Sequence, residues 1–375
     1  MPVNPGSYRE EFPILRSCLY LNHAAVSPIP TRVRDAMAGL LDDVHLFGAA
    51  HYERWAAAIE AARGSAARLL NAEPQEVAFA KNTSEGISQF ALGLEWQKGD
   101  EVVSVEDEFP ANLYAWQALE NRGVVLRLVR QKHGEFSLDS LERAFSSRTR
   151  VVALSYVQYL SGFRADLVAL GALCAARGVL LCVDAIQGLG AFPLDVKAAR
   201  IAALSADGHK WMFGPEGCGI LFVREDLVER LRPRTVGWTS VDGWLDFHPR
   251  ALKWRKGAAR FECGTLNTVG IYGLGAALSL LHEAGVECIG EHILNLTERL
   301  RRGLEASGQR VYGPSSREHG SGIVSFSPKQ RGADEVVARL LRRRIVASSR
   351  RGFVRISPHF YNTEAEIDRV LEALR

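Results

Sequence analysis

The stretch SADGHKWMFGPEGCGIL, Ser205 to Leu221, ends an apolar run in Gly-His-Lys and follows it with Gly214, Pro215, Gly217 and Gly219. A strand that ends at Lys210 places an amine at the rim of a sheet, and the glycines allow a tight turn behind it. Such an amine can contact phosphate, face solvent or form a covalent bond. In open α/β sheets ligands bind beyond the carboxyl ends of the strands, so the polar residues that follow the other apolar runs decide among these uses. VAFAKN is followed by Thr83-Ser84-Glu85-Gly86, which opens a helix; hydroxyls and free N–H groups there suit a phosphate. DEVVSVE leads to DEFPAN, with Phe109 and Asn112, and RVVALSYV leads to Gln158, Ser161 and Gly162. GVLLCV ends in Asp184 with Gln187 three residues on, and IAALSADGH delivers Asp207 and His209 beside Lys210.

Each of these residues alone has an ordinary structural reading as a cap, a packing residue or a solvated charge. Together they suit pyridoxal 5'-phosphate (PLP). Its phosphate needs hydroxyls and helix N–H groups, and its ring needs a flat neighbour. Its pyridine nitrogen needs a carboxylate, and its aldehyde needs a lysine. Lys210 reacts only as the free amine, so its reference pKa of about 10.4 has to be suppressed. Asp184 fits the pyridine nitrogen and Gln187 the phenolic oxygen.

The elements that position these groups follow from periodicity. Val33, Met37, Leu40, Leu41 and Val44 share a helical face behind Thr31, and Trp55, Ile59, Ala62, Ala66, Leu69 and Leu70 share another. Short β-rich runs separated by helical segments then predict an α/β domain with a mainly parallel sheet covered on both faces. Beyond residue 260, helices alternate with strands at SGIVSFSP and GFVRISP, and a capping box of Thr363 and Glu366 opens the last helix. The expected organisation is an N-terminal segment, 1–25, that packs with the small domain; a large α/β domain, 26–259; and a smaller α+β domain, 260–375. The 375 residues are 47% apolar and 24% charged with net charge +3, which speaks for neither nucleic acid nor membrane as partner. The N-terminus lacks the pattern of a signal peptide, and the six cysteines show no metal-ligand spacing. A cytoplasmic protein with reduced thiols and no metal is the expectation. A nucleotide-binding reading would need GPEGCG or GLGAF as its phosphate loop, and neither has the required pattern.

YLNHAAVSP, NTSEGI, EDEFPAN, VDAIQ, DGHKWMFGPEGCGIL, FECGTLNT and VRISPHFYNTEAEID run in order through nearly the whole chain. In these stretches the chain resembles the fold-type-I PLP enzymes of the class V aminotransferase group, which includes cysteine desulfurases, selenocysteine lyase, kynureninase-like enzymes and an isopenicillin N epimerase branch. The resemblance implies a PLP-dependent transferase fold with a seven-stranded sheet. It also implies catalytic roles for Lys210, Asp184 and His209, with Lys210 bound to the cofactor as a Schiff base and moving the Cα proton. Thr83, Ser84 and His209 would hold the phosphate, and Gln158 and Gln187 would face the ring and its phenolic oxygen. Gly264 and Thr265 would complete the phosphate site of a partner subunit in a homodimer. Arg355 would grip the substrate α-carboxylate, with Asn22 and His23 near the substrate entrance.

Three departures stand out. Phe109 replaces a ring-stacking histidine, and Asp207 replaces a serine beside the phosphate and either holds His209 or caps a turn. The loop IVASSRRGFVR before Arg355 carries no cysteine, from which the sequence reading excludes a desulfurase, since persulfide formation there needs a thiol. The expected activity is that of a PLP enzyme acting on an amino acid through an external aldimine. An aminotransferase comes first, with a C–S or α,β-eliminating lyase or an epimerase as alternatives, and a non-catalytic PLP-binding protein as the alternative from another class.

Overall fold

The computed structural model describes residues 4–247 and 252–375. Its main sheet has seven strands: β2 (Val77–Ala80), β3 (Glu101–Val105), β4 (Val125–Val129), β5 (Thr149–Ser155), β6 (Leu180–Asp184), β7 (Ala203–Asp207) and β8 (Gly219–Val223). A first short strand, β1 (Leu19–Tyr20), lies outside it. The order is β2-β8-β7-β6-β5-β3-β4. Only β8 runs against its neighbours, and the other pairs are parallel. All residues of β7 and β8 are buried, so both faces are covered, and this is why these strands read as continuous apolar runs.

The two-residue period of a strand divides the interior in two. Val152, Leu154, Val183 and Leu204 enter one core with Ala66 and Leu70 of helix α2 (Tyr52–Leu70), which follows α1 (Thr31–Phe47). Val151, Ala153, Cys182 and Ala203 enter the other with Ile87 and Phe90 of α3 (Thr83–Gly93) and Trp116 of α4 (Ala111–Gln117).

A four-stranded antiparallel sheet, β12-β13-β10-β9, comprises β9 (Arg310–Tyr312), β10 (Val324–Ser327), β12 (Ser348–Arg350) and β13 (Phe353–Ile356). Beside it β1 pairs in parallel with β11 (Ile345–Val346), and Leu19 and Leu21 enter the core of this smaller unit. Phe12 instead joins the large core. The helix Thr268–Ala284 lies beyond the residue-260 boundary drawn from composition, yet it buries Ile271, Leu274 and Leu278 in the large core. The next helix, Val286–Ala306, places Ile289 and Ile293 in that core and Leu296, Leu300 and Leu304 in the small one. At about 1.5 Å per residue, one helix is long enough to serve both. Among the described residues no single helix is long and apolar enough to cross a membrane.

Candidate active site

Strands β6 and β7 end side by side at the carboxyl edge, with Asp184 at the tip of one and Lys210 three residues past the other. The turn after the lysine closes through Phe213, whose N–H donates to the Lys210 carbonyl (3.2 Å). Phe213 has φ +60°, a strained value for an aromatic residue. Its wholly buried ring is held among Phe12, His359 and Phe360. Lys210 is buried, and burial lowers its pKa, with the Arg355 charge acting in the same direction and Asp184 opposing. Asp184 is pushed the other way, mainly by burial and further by the negative charge of Glu108. Its Oδ1 accepts the Ile186 N–H (3.1 Å). Phe109 presents its ring 5.6 Å from Lys210 Nζ and meets Tyr159 edge-on.

Helix α3 starts with Asn82 as its cap, accepting the Glu85 N–H (2.9 Å). The N–H groups of Thr83 and Ser84 take no hydrogen-bond partner among the described residues. The helix comes close to β7 because residue 86 is glycine: a Cβ there would stand 2.2 Å from Ser205 Oγ. Thr83 Oγ1 accepts the Asp207 N–H (3.0 Å), which leaves its own hydroxyl hydrogen to donate elsewhere. Asp207 turns its carboxylate to the Gly208 N–H (2.7 Å) and towards His209 Nδ1 (2.9 Å). It thus both holds the histidine and caps the turn.

Arg355, on β13, is 2% exposed, its Nε has no partner among the described residues, and no carboxylate is among the charges acting on it. Its Nη1 donates to the Tyr159 carbonyl (2.8 Å), and burial beside Arg350 lowers its pKa to about 10. Asn22 bridges to Ser357, two residues beyond Arg355, and its Oδ1 is buried without a partner.

Other expected site residues have the following surroundings. His23 has no free ring nitrogen: Nδ1 meets the Ser357 carbonyl (2.8 Å) and Nε2 the Tyr361 hydroxyl (2.7 Å). Complete burial drops its pKa to about 3, so it is a neutral strut between the N-terminal segment and the small unit. Gln187 donates to the Ala24 carbonyl (2.9 Å) and accepts from Trp211 Nε1 (2.8 Å), which leaves one N–H to offer. Gly264 and Thr265 line a cleft of about 450 Å³ with Lys81, Glu85 and Cys218, and Lys210 is not in its lining. Gln158 is buried and donates to Glu108 Oε1 (2.7 Å). Glu108 itself was absent from the sequence reading, because an acidic residue before Phe-Pro carries no mark of burial.

Among the described residues, Asn22 Oδ1, Ser27 Oγ, Ser348 Oγ and Arg355 Nε are buried without a hydrogen-bond partner. All belong to segments that converge on Lys210. The Ser27 N–H donates to the His209 carbonyl, and Ser348 faces Arg355 in register. Buried polar atoms are normally paired, so this concentration marks where a polar ligand belongs. Donors at α3, an aromatic face, a carboxylate and an amine fit PLP, and the unpaired guanidinium fits an amino-acid carboxylate.

Residues 19–370 match the model of the family described as Aminotransferase class-V. A protein of Methanothermobacter thermautotrophicus named probable cysteine desulfurase is 30% identical, with 98% of this chain and 96% of that protein covered. The apo structure of cysteine desulfurase from Thermococcus onnurineus NA1 superposes with a TM-score of 0.91 at 27% identity, covering 99% of this chain and 97% of that one. C-DES, described as a cystine C–S lyase in complex with its product cysteine persulfide, has a TM-score of 0.90 at 26% identity, covering 97% and 98%. A mutant of C-DES, with a TM-score of 0.91 at the same identity, holds glycine covalently linked to its PLP cofactor. These matches overturn the exclusion of desulfurases drawn from the cysteine-free loop. Ala347, Ser348 and Ser349 do stand there, but a thiol serves to take up sulfur, and its absence leaves C–S cleavage open.

Proposed function

Because the chain belongs to the class-V aminotransferase family, a PLP-dependent family of enzymes, we propose that it is a lyase that breaks the Cβ–S bond of cysteine or cystine. The observation that carries an amino-acid substrate is the buried, uncompensated Arg355 beside the buried amine of Lys210. Choice of the C–S bond rests on the relatives named for desulfuration and C–S lysis, which support elimination better than the aminotransferase reading.

When bound, PLP supplies an aldehyde for amino groups and a ring that accepts the Cα electron pair. The chain supplies the rest. Thr83, Ser84 and His209 would hold the phosphate, Asp184 would keep a proton on the pyridine nitrogen, and Phe109 would cover the ring face. Arg355 fixes the α-carboxylate, with the Asn22 amide beside it. Lys210, whose pKa burial lowers to about 8, takes the Cα proton as the free amine. The Cβ–S electron pair leaves with sulfur, and water completes the products. Cysteine and water give sulfide, pyruvate and ammonia; cystine and water give cysteine persulfide, pyruvate and ammonia. No enzyme thiol enters this balance, in keeping with the loop sequence.

The family resemblance and the exposure of Thr265, in a cleft whose lining does not include Lys210, support a homodimer in which Gly264 and Thr265 reach the partner's phosphate site. The exposed Leu41, Val44, Leu46 and Phe47 of α1 provide an apolar face for such an assembly.

The test is product analysis of the PLP-loaded protein with L-cysteine and L-cystine. The proposal expects pyruvate and ammonia in equal amounts with the released sulfur. Conversion of the cofactor to its amine form with a keto acid and no released sulfur would refute it, while alanine as the carbon product would place the cleavage with the desulfurases.

A further inference from the structure

Glu108 is buried one residue before Phe109, and nothing in the roles above uses it. Its Oε1 accepts the Ser155 N–H (2.7 Å) and Gln158 Nε2 (2.7 Å), and its Oε2 accepts the Ser155 hydroxyl (2.5 Å). Ser155 is the last residue of β5 and lies in register with Asp184 on β6. The carboxylate therefore ties the loop after β3 to the tip of β5, beside the strand that carries Asp184.

We infer that Glu108 is a positioning residue of this PLP site: its carboxylate anchors the loop that sets the Phe109 ring over Lys210, fixes which end of the Gln158 amide points away from it, and places a negative charge beside Asp184. A carboxylate only accepts hydrogen bonds. Gln158 must turn its nitrogen to Glu108, and one amide hydrogen and the carbonyl oxygen remain for the ring side. The neighbouring segment is held from outside as well, where Arg351 donates to Asp107 Oδ1 (2.7 Å) and the Asp107 N–H donates to Gln131 Oε1 (3.1 Å). Hydrogen bonds from the Ser155 hydroxyl and N–H, Gln158 and Asn112 favour the ionised form of Glu108, but burial outweighs them and leaves its pKa raised. The charges acting on Lys210 are Asp184, Asp207, Arg355 and Arg350, and Glu108 adds its negative charge beside the first of them, Asp184. The inference rests on the site holding PLP and stands whichever substrate bond breaks.

Two variants test it through spectra rather than turnover. Glu108→Gln keeps the shape and the two hydrogen bonds accepted at Oε1, with the third reversed so that the amide donates to the Ser155 hydroxyl oxygen, while removing the charge. Glu108→Ala removes both. PLP-loaded proteins are titrated with pH at the visible, lysine-linked chromophore, and the visible circular dichroism and PLP affinity are measured. Loss of a negative charge makes the protonated chromophore less stable. The expected midpoint for Glu108→Gln is therefore lower than wild type by on the order of one pH unit, with the dichroism retained. Glu108→Ala is expected to lose most of the dichroism and about tenfold in PLP affinity. A Glu108→Gln midpoint equal to wild type, or an alanine variant with unchanged dichroism and affinity, overturns the inference. If the alanine variant does not fold, the midpoint of the folded Glu108→Gln protein alone decides. Loss of the chromophore in wild type would instead fail the PLP site itself.

Discussion

Replacing Arg355 with methionine is expected to make the ligand-free protein more stable and substrate binding weaker. The guanidinium is 2% exposed and its pKa falls from 12.5 to about 10. Each unit is ~1.36 kcal/mol, so the charge costs the fold on the order of 3 kcal/mol. The sign follows from linkage: a cation with a depressed folded pKa binds its proton more weakly in the folded state, and the cost is complete below the folded value. At pH 7 it is undiminished, and it fades only as pH rises towards the unfolded value. The variant also loses the hydrogen bond from Nη1 to the Tyr159 carbonyl, a loss of about 1 kcal/mol. The net gain is ~1–2 kcal/mol, a rise in Tm of roughly 2 °C for a chain of this size. Substrate binding changes in the opposite sense, because a bidentate, charge-assisted contact disappears; about 3 kcal/mol is roughly a hundredfold in affinity. The assay pairs thermal unfolding of the PLP-free protein with spectral titration of the PLP-loaded protein by L-cysteine and by cysteamine, which lacks the carboxylate. Wild type should strongly prefer cysteine, and the variant should bind the two alike. A destabilised variant that still prefers cysteine would refute the reading of Arg355 as an unpaired cation awaiting a carboxylate.

Lys210 titrates below the ordinary lysine range because it is buried, so the rate at which PLP combines with the PLP-free protein should rise with pH through a midpoint well below about 10.4. A midpoint in the ordinary lysine range would show that the amine is hydrated and not suppressed. Folded Lys210 releases its proton before the unfolded chain does, so this group's contribution to stability should increase as pH rises between those two values. Thr265→Val should weaken PLP binding about tenfold while sedimentation still reports a dimer, and unchanged affinity would remove the contact across the interface.

The chemistry of the site is legible in the sequence because it depends on residue types at strand ends. Burial on both faces makes the strands of a covered sheet continuous apolar runs, and these mark where Asp184, Asp207 and Lys210 emerge. Asp207, with two possible tasks from sequence, performs both once its carboxylate meets Gly208 and His209. Burial and pairing belong to the tertiary structure alone. His23 and Arg355 are both polar residues in promising motifs. One has each nitrogen satisfied by Ser357 and Tyr361, whereas the other is left without a counter-ion. Glu108 acquires its place only when β3 and β5 lie side by side and present Ser155 and Gln158 to it. The helix Thr268–Ala284 could be assigned to a core only once α1 and α2 lay against it. Local sequence sets periodicity and the identity of rim residues; the desolvation and partners that turn a lysine into a base, or a histidine into a strut, come from segments hundreds of residues away.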